Sequence, residues 1–208
     1  MANTSKNKPQ VKANNEKEKS QFTKWGDPVL HAPTKKVSSA EIKSPEFQTT
    51  LKKMFEMIDG VGVGLAANQI GIGKRFAVVV INPTPNRPNI TAVPPTAIIN
   101  PKILSRSRKM QRGWEGCLSC GGESQPFFYI ERAEWINVEY VDGFTGKRVK
   151  RKISGFEAVV FQHEIGHLDG NVCGEQVMVR NGKVVPGSII TVDWYRKMKG
   201  APPKSLTK

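Results

Sequence analysis

Histidine and cysteine are scarce in this chain, three of each in 208 residues. Three cysteines exclude a disulfide-built scaffold, and they suit an intracellular, reducing compartment with the thiols free or on metal. Long apolar runs are also missing. The strongest, around Phe76–Ile81, is far too short to cross a bilayer, so no membrane partner is expected. No apolar signal-peptide core follows Met1. Acid is in short supply, with 18 Asp and Glu against 32 Lys and Arg, a net charge of +14. Between Asp59 and Glu115 there is none at all.

The excess positive charge sits mostly at the ends. Residues 1–24 carry six lysines against two glutamates, and residues 196–208 carry five basic residues and no acid, so nine of the fourteen excess charges lie there. Such segments are solvated tails or a means of docking on an RNA-rich surface; nothing in them points to sequence-specific nucleic-acid binding. Residues 1–21, rich in Lys, Asn, Glu and Ser, have almost nothing to bury and are expected to be disordered. The chain therefore divides into a basic tail (1–21), one catalytic domain (22–195) and a second basic tail (196–208). With 38% hydrophobic and 24% charged residues, the body has the composition of a globular domain with a real core.

Within the body, the spacing predicts a helix after Ser44, with Pro45 at its first position and Phe47, Leu51, Met54, Phe55 and Ile58 on one face. "FAVVVIN" and "TAIINPKIL" read as strands across a Pro/Asn-rich loop from Pro83 to Pro95. "EWINVEYVDGFTGKRVKRKIS" reads as a hairpin with its turn at Asp142-Gly143. A second helix follows, opened by a Ser154/Glu157 capping box and apolar on most sides. The expected fold is α+β, with mixed or antiparallel sheets around a buried central helix carrying a His-Glu-x-x-His motif.

That motif is His163-Glu164-Ile165-Gly166-His167. Two helix histidines four apart share a face and can reach one metal, and Glu164 lies one step round, where a general base for a metal-activated water belongs. A zinc-like ion lowers the pKa of its water towards about 7. The spacing leaves the third ligand open. Cys173 stands where a metzincin has its last histidine. Its rival is Cys117 in "GWEGCLSCGG", where it forms a C-x-x-C pair with Cys120. A third motif, "GVGVGLAANQIG", matches a loose dinucleotide fingerprint at Gly62, Gly64 and Ala67. A helix precedes it, however, and the ribose-binding acid is missing, so it reads instead as backbone closely approached by a ligand, with the Gln69 amide nearby.

Taken together and in this order, "GVGLAANQ" (Gly62 to Gln69), "EGCLS" (Glu115 to Ser119) and "QHEIGHL" (Gln162 to Leu168) resemble the three motifs of the peptide deformylase family, and "GDPVL" near the start is also typical. The resemblance runs roughly from Phe22 to Met178. It implies a metal site of Cys117, His163 and His167 holding one divalent ion, Fe²⁺ or Zn²⁺, with Cys173 a bystander. It implies removal of the formyl group from N-formyl-methionyl nascent peptides, with Glu164 moving the proton and the Leu118 backbone N–H and the Gln69 amide holding the oxyanion. It further implies docking of the basic C-terminal segment on the ribosome. The peptide would lie along Gly64 and Gly121. Helix geometry adds a methionine pocket: positions 156, 159 and 160 lie on the metal-facing side of the helix, so Phe156, Val159 and Val160, with Val63 above, are expected to line it.

The chain departs from the family at Gly166, where the family has Asp. The arginine that pairs with that Asp corresponds to Arg132, which is expected to have lost that partner; the sequence leaves open whether Glu131, Glu134 or Asp169 substitutes or Arg132 faces solvent. It departs again at Cys120-Gly121, where an aliphatic residue and proline are usual. These departures and the lysine-rich tails favour an organelle, the mitochondrion, over a bacterial cytoplasm. Two other readings use fewer of the residues: a zincin-type peptidase with Cys173 or a downstream acid as third ligand, and a weak paralogue or ribosome-associated module with a structural metal.

Overall fold

The computed structural model describes residues 22–85, 87–121, 126–176, 179–180, 183–184 and 188–191. Both basic tails, with their expected disorder and ribosome docking, lie outside the described residues. A five-stranded sheet runs in the order β1 (Gly64–Ala66), β2 (Phe76–Ile81), β3 (Val93–Arg106), β6 (Trp135–Asp142), β7 (Arg148–Ser154). A three-stranded sheet contains β10 (Ile189–Thr191), β5 (Pro126–Ala133) and β4 (Met110–Gly116), and β8 (Val179–Arg180) pairs with β9 (Lys183–Val184). Every strand pair in these sheets is antiparallel, so the α+β expectation holds in its antiparallel form.

Why the apolar run "FAVVVI" is continuous is clear from its place inside the large sheet, between β1 and β3. Ala77, Val79 and Ile81 face one core with the central helix, Gly155–Leu168, whereas Phe76 and Val78 face a second core under the Pro45–Ile58 helix. A strand covered on both faces has no polar side to present. The Pro45–Ile58 helix starts as its sequence indicates: the Ser44 hydroxyl accepts from the Phe47 N–H, and Leu51, Met54 and Ile58 are fully buried.

Two local expectations fail for identifiable reasons. No side-chain bond from Ser154 caps the central helix, because Glu157 turns instead to pair with Arg151 across β7. The β6–β7 turn, by contrast, falls where the sequence puts it, directly after Asp142, and its positive-φ residue is Gly146, at φ +67°. Gly143 is needed for space, since a Cβ there would come within 2.7 Å of Ala97 Cβ. The second failure is at β3, which begins at Val93 and runs through Pro94 and Pro95, residues the sequence assigns to the loop.

The central helix packs against β1, β2, β5 and β7 and buries Ala158, Val160, Phe161, Glu164, Ile165, His167 and Leu168. It is thus wrapped by both larger sheets, and the residues that face the cleft between them are the ones with chemistry.

Candidate active site

Three segments converge on the cleft. The central helix supplies His163, Glu164 and His167. The end of β4 supplies Cys117, at the entry to a one-turn 3₁₀ helix, Leu118–Cys120. The turn after β1, Ala67–Ile70, supplies Gln69. His167 Nε2 lies 3.2 Å from Cys117 Sγ and 3.2 Å from His163 Nε2. Two imidazole nitrogens and a sulfur aimed at one another in this way suit a shared ion: 3.2 Å is close to the edge of a tetrahedron whose metal–nitrogen bonds are about 2.0–2.1 Å. Cys117, His163 and His167 form a candidate metal site, all three donor atoms lying within 4.8 Å of one another.

The surroundings hold these donors in place. His163 Nδ1 donates to Glu115 Oε2 at 2.8 Å, which leaves Nε2 as the atom presented to the cleft. Glu115 is held in turn by Arg132, whose Nε and Nη2 reach its two oxygens at 2.8 and 2.7 Å. Burial alone would raise the Glu115 carboxyl; the hydrogen bonds from Arg132 and His163 overcome this and pull it down to about 2. Burial would likewise depress the His163 imidazolium, but bonds to Cys117 and Glu115 and the nearby Glu164 charge lift it to about 10. The Cys117 thiol is pushed well down, mainly by hydrogen bonds from Cys120 and Cys173. The lowered Cys117 thiol favours the thiolate, the form in which a cysteine binds a metal cation.

Gln69 is fixed by its own turn: its oxygen accepts from the Ala66 N–H at 2.9 Å, so its Nε2 faces the site, 3.2 Å from Ser119 Oγ and 3.6 Å from Cys117 Sγ. Leu118 opens its 3₁₀ turn, a position whose N–H has no acceptor within the turn. Glu164 is 3% exposed, burial raises its carboxyl, and its Oε2 has no hydrogen-bond partner among the described residues.

A cavity of about 310 Å³ opens over these groups. Val63, Gly64, Phe156, Val159 and Val160 line it beside Gln69, Cys117, Leu118, His163 and Glu164. Gly121 is not among the lining residues; a Cβ there would stand 3.1 Å from the Leu118 carbonyl oxygen. Gly64 has a second reason to be glycine. A Cβ there would stand 2.3 Å from Glu164 Oε1, so the group that approaches its backbone most closely is the carboxylate. Among residues whose part the sequence did not disclose, Trp114 and Phe127 add aromatic wall, and Arg87 lies over the Phe156 ring at 4.4 Å.

Arg132 neither faces solvent nor pairs with any of the three acids offered as substitutes; two of its bonds go to Glu115. Besides Glu115 it bonds the side-chain oxygen of Gln176. Glu131, Glu134 and Asp169, the proposed substitutes, pair with Arg112, Lys109 and Arg75. Nor does Cys173 join the histidines: its sulfur groups with Cys117 and Cys120.

An antiparallel α+β core that brings a buried carboxylate and a thiolate–imidazole donor set to one apolar cavity defines a hydrolase with a candidate metal centre. The comparisons give the family. Residues 19–181 match the model of the polypeptide deformylase family. "Peptide deformylase 2" of Xanthomonas campestris is 38% identical over 147 residues, covering 70% of this chain and 79% of that protein. "Peptide deformylase 2" of a Nostoc strain is 36% identical over 145 residues, 68% and 79% of the two chains. Among solved structures, a class I type b peptide deformylase from Acinetobacter baumannii, bound to Met-Ala-Ser, superposes with a TM-score of 0.70 at 33% identity, covering 75% of this chain and 96% of that one. The chain belongs to the peptide deformylase family, and its activity is that of a deformylase, a hydrolase. The zincin reading is not favoured. These relatives are bacterial and lend no support to a mitochondrial placement. Among the described residues no helix is long and apolar enough to cross a membrane.

Proposed function

We propose that Cys117, His163 and His167 hold one divalent ion and that Glu164 moves the proton as the formyl group leaves an N-formyl-methionyl peptide. The observation that carries this reading is the position of Glu164: a buried carboxylate with one unpartnered oxygen, on the wall of an apolar cavity beside Cys117 and His163. An ion on one sulfur and two nitrogens, Fe²⁺ or Zn²⁺ by that donor set, supplies Lewis acidity, lowering the pKa of its water and polarising the formyl carbonyl.

The remaining work falls to the chain. Glu164 takes the proton from the attacking water and returns it to the amine nitrogen as the C–N bond breaks, so that formate and a free amino terminus leave. A carboxyl raised by burial is suited to both steps. The Leu118 N–H and the Gln69 amide donate to the oxygen on which negative charge develops. Arg132 and Glu115 keep the His163 ring from rotating. The methionine side chain enters between Val63, Phe156, Val159 and Val160, and the Met-Ala-Ser held by the Acinetobacter relative is the type of peptide that deformylation leaves. The basic segments 1–21 and 196–208 hold the enzyme near ribosomal RNA by charge; deleting 196–208 should reduce salt-sensitive ribosome binding and leave small-peptide turnover intact.

The test is product analysis. Chain carrying one ion is given N-formyl-Met-Ala-Ser, and formate and peptide are both measured. Equal amounts of formate and Met-Ala-Ser are expected; cleavage at an internal peptide bond would overturn the reading in favour of a peptidase.

A further inference from the structure

All three cysteines of the chain meet at one point. Cys117, Cys120 and Cys173 are 2%, 8% and 2% exposed, and their three sulfur atoms lie within 4.8 Å of one another. Local folding brings them there. Cys117 and Cys120 are the two ends of the 3₁₀ turn after β4, which the Cys120 N–H closes onto the Cys117 carbonyl at 3.0 Å. Cys173 opens the next 3₁₀ turn, Cys173–Gln176, just past the end of the central helix. Leu30, Phe128, Ile130 and Val172 pack around them as a separate apolar cluster.

The grouping shares one atom with the candidate catalytic centre. Cys117 Sγ belongs to the set with His163 and His167 and also to the set with Cys120 and Cys173. Only the first set contains nitrogen. The second is all sulfur in an apolar shell, a donor set that rejects hard, oxygen-seeking ions and selects soft ones.

We propose that Cys117, Cys120 and Cys173 form a second metal position, specific for a thiophilic closed-shell cation such as Cd²⁺ or Cu⁺, which shares the Cys117 sulfur with the histidine set. As the two new metal–sulfur bonds form at Cys120 and Cys173, each thiol gives its proton to solvent, and no electron changes hands. Cys117 serves as the shared vertex, since a thiolate sulfur carries lone pairs enough for two ions. An ion in this position draws on the sulfur that the histidine-side ion also uses. A soft metal there is thus coupled to the catalytic site without touching either histidine.

The probe is Cd²⁺ alone, added to zinc-loaded protein kept reduced with a phosphine, and the readout is cadmium NMR, whose chemical shift separates three-sulfur from one-sulfur, two-nitrogen surroundings. The wild type should give a resonance in the three-sulfur range. Cys120→Ser and Cys173→Ala should each lose it, two independent variants so that a folding defect in one leaves the other decisive. A wild-type spectrum with no three-sulfur resonance would overturn the proposal, as would a three-sulfur resonance that survives in both variants. The readout does not use turnover, so failure here and failure of the deformylase mechanism are separate results.

Discussion

The side-chain amide of Gln176 lies over the bare backbone of Gly166. A Cβ on residue 166 would stand 3.2 Å from Gln176 Nε2, and the oxygen of the same amide bonds Arg132. The place where the family carries an Asp on the helix is thus filled from ten residues further along the chain. The arginine that steadies Glu115, and through it His163, keeps a third contact.

Gln176→Ala should therefore weaken the fold around Arg132 by about 1.5–3 kcal/mol, the usual scale for a hydrogen bond to a charged group. Adding Gly166→Asp to that variant should restore most of the loss, because the new carboxylate takes up the position of the missing amide. Adding Gly166→Ala instead should return only the helix preference, about 0.5–1 kcal/mol. Denaturant unfolding of the three variants decides it; equal recovery by Asp and Ala would show that Gln176 is not a stand-in for the Asp.

Gly64 and Glu164 make a second coupled pair. Gly64→Ala puts a methyl group where Glu164 Oε1 now lies, so the carboxylate must move. Displacing a catalytic group by about 1 Å costs roughly 100-fold in rate. Turnover should fall by that order with metal content unchanged. A Gly64→Ala enzyme of normal rate would mean that the carboxylate has room the geometry does not show.

The ligand set has a direct chemical test. Cys117→Ser should lose the bound ion on dialysis against a mild chelator, whereas Cys173→Ser should keep one ion per chain. Metal analysis reads both, and the opposite pattern would place the third ligand at Cys173.

Acid stability should depend on Glu41. Its carboxyl is held at about 2 against an ordinary value of 4.5, first by the hydrogen bond from Lys74 and then by the bonds from Ser38. A depressed carboxyl contributes stability that is fully present above pH 4.5 and fades as pH falls towards 2. Glu41→Gln should thus be less stable than the wild type at pH 7, and the two should converge on acidification through that window. A difference that stays constant down to pH 2 would show that the charge is not what matters.

Much of the site can be read from the sequence because it depends on local geometry. His163, Glu164 and His167 follow from helical spacing alone, and so does the wall formed by Phe156, Val159 and Val160, which the structure places around the cavity. Cys117 could be chosen over Cys173 only by resemblance, since spacing along the chain does not reveal which sulfur the topology brings to the histidines. The β4–β5 hairpin that delivers Cys117 had no sequence signal, because "MQRGWEG" lacks the alternation of a strand. Glu115 lay within a recognised motif, yet its hold on His163 exists only across two elements 48 residues apart. Gln176 was invisible for the same reason: its contacts depend on the chain turning back over the helix end. The Ser154 cap was legible and still failed, because Glu157 found a stronger partner in Arg151.

The most direct measurement compares formate release by the wild type and by Glu164→Gln at equal metal content, with N-formyl-Met-Ala-Ser as substrate. The two proteins should hold the same amount of ion, and the variant should release formate about 100- to 10,000-fold more slowly, the range for loss of a general acid–base group. Formate release by Glu164→Gln at the wild-type rate would contradict the role of Glu164, and no formate from the metal-loaded wild type would contradict the function itself.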